Sequence, residues 1–446
     1  MSTPTTAHGP RSDQRSLVRA FAASLSGTSL EWYDFAIYSS AAALVFGHVF
    51  FPSQDPLTGT LQAFATYAVG YVARPLGGIF FGRLGDRIGR KKVLVATLLL
   101  VGVATFLVGL LPTYAQVGAL APTLLVVLRF AQGVGVGGEW GGAVLLSSEF
   151  SEPGKRGFWA SAAQIGPPAG TLMANGVLLL LAGLLSDADF LSWGWRVAFL
   201  LSSVLVAFGL WIRLRLEETP VFLELAERGD RPTAPVTEVL RTQRRPLSAA
   251  ILSRVGPDVL YALFAVFVLT YATQHLHMSK GQAVLAVSIG SALQLGFIPL
   301  AGWVSDRWGR KLVYGIGTVG GAVWSVFFFS FAHGGLASLL LGVVVGLFFH
   351  SLMYGPQAAF VAEQFPARLR YTGSSLAYTF AGIIGGAIAP LAFTYLLAKT
   401  GTGFIIGAYI AVACLVTLVG LALGRAVLDD IDQVAVEPST HVGARA

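Results

Sequence analysis

Twelve long apolar runs constrain this chain more than any other feature of its sequence. A run of roughly 20 apolar residues spans a bilayer core as a helix. Charged residues make up only 12% of the chain, against about a quarter in soluble domains. The sequence therefore excludes a water-soluble globule and predicts an all-α membrane protein with twelve transmembrane helices. The runs lie at about 17–46, 60–82, 93–112, 121–147, 157–185, 193–214, 248–274, 282–304, 313–332, 336–357, 371–398 and 403–424.

Two related loops indicate that one half of the chain duplicates the other. Residues 82–92 (GRLGDRIGRKK) and 302–312 (GWVSDRWGRKL) each join two apolar runs. A second related pair, at 149–156 and 363–370, is separated by nearly the same stretch of chain. Parallel repeats of this kind are typical of transporters. We therefore predict two six-helix bundles joined by a polar, proline-containing linker.

This organisation predicts five consecutive segments. They are a disordered cytoplasmic N-terminus at 1–16, an N-terminal six-helix bundle at 17–215, a cytoplasmic linker at 216–247, a C-terminal six-helix bundle at 248–425 and a cytoplasmic tail at 426–446.

The net charge of +7 reflects basic residues that gather in alternate loops, whereas the other loops hold little beyond Arg196, Lys280 and Lys399. The positive-inside rule then places both termini in the cytoplasm. We expect a multi-pass protein of the plasma (inner) membrane whose partners are the lipid bilayer, a small-molecule substrate and protons. This charge pattern argues against nucleic acid as a partner, and we expect the protein to function as a monomer.

Charged side chains inside the spans are functional candidates, because hydrocarbon disfavours them. Glu31 and Asp34 share one face of the first span. Two carboxylates this close in a poorly hydrated cavity would not both stay ionised, so one of them is suited to take and release a proton. Glu139 in the fourth span is a further proton-coupling candidate. For Glu31 and Asp34 the alternative is a fixed salt bridge with Arg74 or Arg129, and for Glu139 it is a role in a packing network.

Three buried arginines are the candidates for substrate binding. A guanidinium group stays charged, so it must meet an acid, a carbonyl group or an anionic ligand. For Arg129, substrate contact and a helix-locking pair are equal alternatives; for Arg254, the alternative is an ion pair with Asp258. His350, placed near the cytoplasmic end of span ten, is a weaker candidate that would more often be a packing residue. The substrate-binding residues predicted are Arg74, Arg129, Arg254, Tyr38, Gln132, Tyr261, Gln294, Tyr354 and Tyr378, with Gln357 as a further hydrogen-bonding group.

The sequence contains no HExxH motif, no Walker motif and no GxSxG motif between a strand and a helix. His275 and His277 have no third metal ligand near them in sequence. We therefore predict neither an enzyme nor a pump driven directly by ATP, and we predict no cofactor and no metal site.

The two loops with the pattern Gly-x-x-x-Asp-Arg-x-Gly-Arg-Lys resemble the major facilitator superfamily, and the resemblance covers nearly the whole chain. It implies two bundles related by a pseudo-twofold axis, a central cavity and alternating access. In the second loop Ser305 and Leu312 replace Gly85 and Lys92, which predicts a weaker latch there. By position, the resemblance assigns a conformational latch to Asp86, Arg87, Arg90, Lys91, Asp306, Arg307, Arg310 and Lys311.

Five shorter segments resemble the metabolite:proton symporter family, which includes carriers of 2-oxoglutarate, citrate, shikimate, proline and betaine. The segments are 27–38 (GTSLEWYDFAIY), 73–78 (ARPLGG), 129–142 (RFAQGVGVGGEWGG), 218–222 (ETPVF) and 371–373 (YTG).

These observations predict a proton-coupled secondary active symporter that imports a small mono- or dicarboxylate by alternating access. The alternative within the same family is proton-coupled uptake of a zwitterionic osmolyte such as proline or betaine. The buried arginines disfavour a third transport function, the export of apolar cations. A membrane-embedded enzyme or a receptor without transport is the alternative from a different class.

Overall fold

The computed structural model describes residues 14–53, 55–88, 90–137, 154–215, 235–332 and 335–425. Among these, 14–24, 26, 27, 82–94, 212, 213, 215, 367, 368 and 371 are described by their backbone alone. These residues form helices and no strand. Besides two short helices, Tyr114–Val117 and Pro235–Thr242, there are twelve long helical segments. They are α1 (Gln14–Ala41, Ala42–Phe46 and Gly47–Val49), α2 (Pro56–Ile88), α3 (Arg90–Leu110), α4 (Leu120–Val136), α5 (Arg156–Leu184), α6 (Asp187–Asp189, Phe190–Gly194, Trp195–Leu200 and Ser202–Arg215), α7 (Arg244–Tyr261, Ala262–Phe267, Val268–Thr270 and Tyr271–His275), α8 (Lys280–Trp308), α9 (Arg310–Phe331), α10 (Leu336–Glu363), α11 (Ala367–Gly382, Ile383–Ile388 and Ala389–Thr400) and α12 (Phe404–Leu423).

The twelve segments coincide with the twelve apolar runs, because a chain in hydrocarbon must satisfy its backbone hydrogen bonds within each helix. Within the described residues, the segments α5 to α12 are long and apolar enough to cross a membrane. Two of the others contain the shorter apolar stretches Val95–Leu110 and Leu120–Val136. The predicted all-α fold is confirmed.

The helices form two bundles, α1–α6 and α7–α12, which meet along symmetry-related helices. In the first bundle α1 packs on α5 and α2 on α4, and in the second bundle α7 packs on α11 and α8 on α10. Between the bundles, α5 packs on α8 and α2 packs on α11. If the second bundle repeats the first, α8 corresponds to α2 and α11 to α5. The interface therefore has the twofold character that the duplicated sequence predicts.

Helices α5 and α8 approach each other closely because both carry glycine at the crossing. A Cβ atom added to Gly157 would lie 2.6 Å from the carbonyl oxygen of Gly302, and one added to Gly302 would lie 2.6 Å from that of Gly157. Small residues permit such backbone contact between membrane helices. The two bundles are therefore in direct backbone contact at this point.

The described basic residues outside the apolar parts of the helices gather at one end of the molecule, here called the basic face. Two of them bind the end of α12: Lys311 Nζ donates to the Gly424 carbonyl oxygen at 2.7 Å, and Arg245 Nε donates to that of Leu423 at 3.2 Å. Cations at a helix C-terminus bind its unpaired carbonyl groups. The basic face includes Lys155, Arg156, Arg244, Arg245, Arg307, Arg310, Lys311 and Arg425; the other end, the opposite face, holds Arg196, Lys280 and Lys399.

Asp55 caps the start of α2 at the opposite face. Its carboxylate accepts hydrogen bonds from the Thr58 hydroxyl at 2.6 Å and from the backbone N–H groups of Leu57 and Thr58 at 3.2 and 3.1 Å. The Thr58 hydroxyl, followed by these N–H groups, lowers the pKa of Asp55. This cap fixes the point at which the chain enters α2.

Candidate functional site

A small cavity lies between the two bundles, midway along the helices. Its volume is about 40 Å³, enough for about three water molecules. Both bundles contribute charged or aromatic side chains to its wall. The lining residues are Trp32, Tyr67, Tyr71, Arg74 and Pro167 from the first bundle, and Arg254, Asp258, Tyr261, Ala262, Val266, His350, Tyr354, Tyr378, Gly382, Gly386 and Pro390 from the second.

Arg74 of α2 lies in the cavity wall among aromatic rings. Its guanidinium carbon lies 4.0 Å from the ring centre of Tyr71 and 4.4 Å from that of Phe35. It also lies 5.6 Å from the ring centre of Tyr378 of the other bundle. Among the described residues, no carboxylate lies within 4.0 Å of it, and its Nε has no hydrogen-bond partner. Arg74 is therefore a buried cation held by aromatic faces and without an acid partner in the described part of the chain.

Arg254 of α7 lies in the same cavity but is paired. Its Nη2 donates to both carboxylate oxygens of Asp258, at 3.1 and 3.3 Å, and its Nη1 donates to Gln357 Oε1 at 3.0 Å. Gln357 also accepts a hydrogen bond from Gln164 of the first bundle at 3.0 Å. The intrahelical pair that the sequence left open for Arg254 is thus present, and the arginine is linked to the contact between the bundles.

Arg129 lies behind the cavity wall, within the first bundle. Its guanidinium carbon lies 4.2 Å from the ring centre of Phe35 and 4.3 Å from that of Tyr38. Its Nη1 donates to Gln132 Oε1 at 3.1 Å, while the Tyr38 hydroxyl pairs with Thr66 at 2.6 Å. Arg129, Gln132 and Tyr38 do not line the cavity in this structure.

Asp34 belongs to the same network. It is 5% exposed and lies beside Thr105, whose hydroxyl donates to the Val101 carbonyl oxygen at 2.9 Å and accepts from Gln132 Nε2 at 2.7 Å. No arginine or lysine nitrogen of the described chain lies within 4.0 Å of Asp34. The fixed salt bridge that was the alternative for this carboxylate is therefore not formed, although Arg129 and Glu31 both lie within electrostatic range.

His350 lies in the middle of α10 and lines the cavity, so its expected place near one end of the span is wrong. Gln294 Nε2 lies 2.8 Å from His350 Nδ1 and 3.3 Å from the Leu347 carbonyl oxygen. Because a carbonyl oxygen can only accept, the atom of Gln294 that faces it is the amide nitrogen, a donor. Nδ1 of His350 therefore accepts a hydrogen bond from this nitrogen. A ring nitrogen that accepts carries no proton, so the imidazole is neutral. Gln294 supports His350 from behind and does not line the cavity.

The remaining predicted site residues lie in different places. Tyr261, Tyr354 and Tyr378 line the cavity. Glu31 is buried at 7% exposure. Glu139 lies outside the described residues.

The second copy of the repeated loop joins the two bundles at the basic face. Asp306 accepts hydrogen bonds from the backbone N–H groups of Gly157 and Phe158, at 2.8 and 2.9 Å, at the start of α5. Arg310 donates to Asp306 at 2.8 Å and to Glu363 at 2.8 Å. An acid at a helix N-terminus with an arginine behind it is a charge-assisted, reversible contact.

The other residues of the predicted latch have different surroundings. Arg307 stacks on Trp303, with 3.7 Å between the guanidinium carbon and the ring centre, and Ser305 accepts from Arg310 at 3.3 Å. In the first copy, the side chains of Asp86, Arg87, Arg90 and Lys91 lie outside the described residues. The relative strength of the two latches stays a prediction.

The opposite face is also joined across the bundles. Gln274 Nε2 of α7 donates to the Thr60 hydroxyl of α2 at 2.8 Å. Lys280 Nζ of α8 lies 4.0 Å from Asp187 of α6. Contacts between the bundles therefore lie on both sides of the cavity.

Sequence reasoning missed three cavity aromatics of the first bundle, Trp32, Tyr67 and Tyr71. The hydroxyl groups of the two tyrosines lie 3.1 Å apart. Tyr67, Tyr71 and Arg74 are spaced four and three residues apart, which places them on one helical face. That spacing was the signal from which both tyrosines were predictable.

Comparisons with known proteins agree with this architecture. Residues 19–234 match the model of the family described as "Sugar (and other) transporter", and residues 258–441 match that of the "Major Facilitator Superfamily". The inner membrane metabolite transport protein YhjE of Escherichia coli (strain K12) is 39% identical over 91% of this chain and 93% of its own. The shikimate transporter of that strain is 36% identical over 90% of this chain and 92% of its own. The proline/betaine transporter of the same strain is 33% identical over 92% of this chain and 83% of its own.

Solved structures show the same fold. The xylose transporter XylE from E. coli, in a partially occluded inward-open conformation, matches with a TM-score of 0.70 and 18% identity, covering 92% of this chain and 97% of that one. A D-xylose-proton symporter matches with a TM-score of 0.69 and 20% identity, covering 92% and 98%. The relatives are transporters, so the prediction that the protein is not an enzyme is confirmed. The chain belongs to the major facilitator superfamily and is a multi-pass membrane transporter, related to metabolite, shikimate and proline/betaine transporters.

Proposed function

We propose that the protein is a proton-coupled symporter that imports a small organic acid across the plasma (inner) membrane. The observation that carries this proposal is Arg74, a buried cation in the cavity wall without an acid partner among the described residues. A buried arginine needs a carboxylate, a carbonyl group or an anionic ligand. We assign the substrate carboxylate to Arg74 and neutral hydrogen bonds to Tyr261, Tyr354 and Tyr378.

Asp34 is our proposed proton carrier. It is buried and lacks an ion-pair partner within the described chain, so protonation breaks no salt bridge of its own. Through Thr105 and Gln132 it is connected to Arg129, which shares the Phe35 ring with Arg74. A change of charge at Asp34 would thus change the electrostatic environment of Arg74. Glu31 and Glu139 stay predictions for proton coupling.

The basic face is proposed to be cytoplasmic, following the positive-inside rule. Both termini would then lie in the cytoplasm. The contacts of Asp306 with the start of α5 would close that side, and the contact of Gln274 with Thr60 would close the other. Alternating access would break one set of contacts while the other set is held. We propose that one chain with its surrounding lipid is sufficient for transport and that the predicted order of five segments applies, with the two bundles beginning at Gln14 and Arg244.

Replacing Gly157 with alanine tests the proposed latch. The added Cβ would lie 2.6 Å from the Gly302 carbonyl oxygen and 2.8 Å from Asp306 Oδ1, so α5 and α8 must separate. Overpacking of this kind costs about 1–3 kcal/mol, which corresponds to a shift of about fivefold or more toward an open basic face. The measurement is labelling of Ser161→Cys, in a Cys414→Ala background, by a membrane-impermeant thiol reagent.

Gly176 of the same helix is the matched control, because a Cβ added there meets nothing within 4 Å. Gly176→Ala is expected to leave the labelling rate unchanged. Equal labelling of the two alanine variants would contradict the proposed role of this contact.

A zwitterionic osmolyte is the second candidate substrate. Aromatic rings around a cavity suit a quaternary ammonium group, and Trp32, Tyr71 and Tyr354 line this one. The proline/betaine transporter among the relatives adds support. Thermal unfolding of the purified protein with carboxylates, proline and betaine distinguishes the two, because a ligand of the folded state raises its melting temperature.

A further inference from the structure

The charged groups that line the cavity have unequal partners. Arg254 donates two hydrogen bonds to the carboxylate of Asp258 and one to Gln357. Arg74 is surrounded by the rings of Phe35, Tyr71 and Tyr378. Asp258 also lies in electrostatic range of Arg74 but hydrogen bonds to Arg254. The cavity thus contains two cations and one anion, and the anion is paired with one particular cation.

The imidazole of His350, which also lines the cavity, does not change the net charge of the lining. Nδ1 of His350 accepts a hydrogen bond from Gln294 Nε2, because Nε2 also donates to the Leu347 carbonyl oxygen and is therefore a donor. A neutral imidazole adds no charge. The charged groups that line the cavity therefore carry one net positive charge, located at Arg74.

Packing keeps Asp258 in its place beside Arg254. A Cβ atom added to Gly385, in the π-helical turn Ile383–Ile388 of α11, would overlap with Asp258. The backbone of α11 therefore lies directly against this residue. The contact is made by the Cβ and backbone atoms of Asp258, so α11 fixes the point from which the carboxylate reaches Arg254.

We propose that the cavity accepts a ligand with a single carboxylate, bound at Arg74, and that Asp258 sets this limit by neutralising Arg254. A second carboxylate would have to remain unpaired in the cavity or displace Asp258, which would then be a buried charge without a partner. Both arrangements are strongly unfavourable. Asp258 is on this account a specificity-determining residue. The inference rests on the proposed function, because it assumes that the substrate is an organic acid.

The test uses matched pairs of acids that differ by one carboxylate: butanoate with succinate, and benzoate with phthalate. The apparent Kd of each acid is obtained from thermal unfolding of the full-length purified protein at pH 7.5 as the ligand concentration rises. The wild-type protein is expected to bind each monocarboxylate at least about tenfold more tightly than its dicarboxylate partner. In Asp258→Asn, Arg254 is released, and the preference is expected to fall at least about tenfold or to reverse.

Two further variants control for folding and for nonspecific effects of charge. Asp189→Asn makes the same chemical change at an exposed residue of the opposite face whose side chain, among the described residues, bonds only to the neighbouring Ser186, and it should retain the wild-type preference. The double variant Arg254→Gln with Asp258→Asn removes both charges and should again favour monocarboxylates. This return of specificity would not be expected if Asp258→Asn had merely damaged the fold.

Tighter binding of dicarboxylates by the wild-type protein, or an unchanged preference in a folded Asp258→Asn variant, would overturn the single-carboxylate inference while leaving import of organic acids intact. Stabilisation by proline or betaine and by none of the acids would overturn the proposed function, and the inference with it. Restored monocarboxylate preference in the double variant supports the inference.

Discussion

Replacing Arg74 with glutamine is expected to reduce uptake of the organic acid by about 30-fold or more. Truncating one partner of a buried, hydrogen-bonded charge pair typically costs about 2–5 kcal/mol. In Arg74→Gln the substrate carboxylate would enter a cavity whose other cation already binds Asp258. The loss should therefore appear in binding as well as in transport. Initial uptake rates in proteoliposomes and the ligand-induced shift in melting temperature measure the two effects.

The matched control for this variant is Lys399→Gln. Lys399 is a cation near a tyrosine ring, as Arg74 is, but it lies at the opposite face beside Tyr395. Uptake by Lys399→Gln should equal that of the wild type. Arg74→Lys should recover part of the affinity, because it restores the charge without the planar guanidinium. Wild-type affinity in Arg74→Gln would show that the carboxylate binds elsewhere.

Replacing Asp34 with asparagine is expected to abolish accumulation of the substrate while exchange across the membrane persists. A carrier that moves one proton with each substrate gains about 1.36 kcal/mol from a pH difference of one unit, and this corresponds to about tenfold accumulation. Asparagine keeps the size and polarity of the side chain beside Thr105 but carries no exchangeable charge. The ratio of internal to external substrate should therefore fall to about one.

Counterflow into preloaded proteoliposomes measures exchange without net proton movement and shows whether the Asp34→Asn variant is folded and mobile. Glu31→Gln, made separately, shows how much each of the two carboxylates of α1 contributes to proton coupling. Asp189→Asn again makes the same chemical change at an exposed site. Undiminished accumulation by Asp34→Asn would remove this residue from the mechanism.

Much of the architecture was predictable because hydrocarbon imposes simple rules. The apolar runs predicted the helices, and the repeated loop predicted the two bundles, since both signals are contained within short stretches of sequence. The helical spacing of Arg254 and Asp258 likewise predicted a possible ion pair, which the structure contains. Local periodicity was sufficient for each of these features.

Contacts between helices were harder to predict. Periodicity places Arg129 and Gln132 on one face of α4, but it does not say whether that face meets the cavity or the inside of the first bundle. The rotation of a helix depends on packing with its neighbours, such as the close contacts of α4 with α2. In the same way, the loop motif indicated a latch at Asp306, while its partners, the first N–H groups of α5, lie far away in sequence.

The measurement that tests proton-coupled import most directly is uptake into proteoliposomes with and without an imposed inward proton gradient. The probe is the monocarboxylate that gives the largest stabilisation of the purified protein. We expect the gradient to drive internal substrate about tenfold above the external concentration per unit of pH, if one proton accompanies each molecule. A proton ionophore should abolish this accumulation. Uptake that is indifferent to the gradient would contradict the proposed coupling.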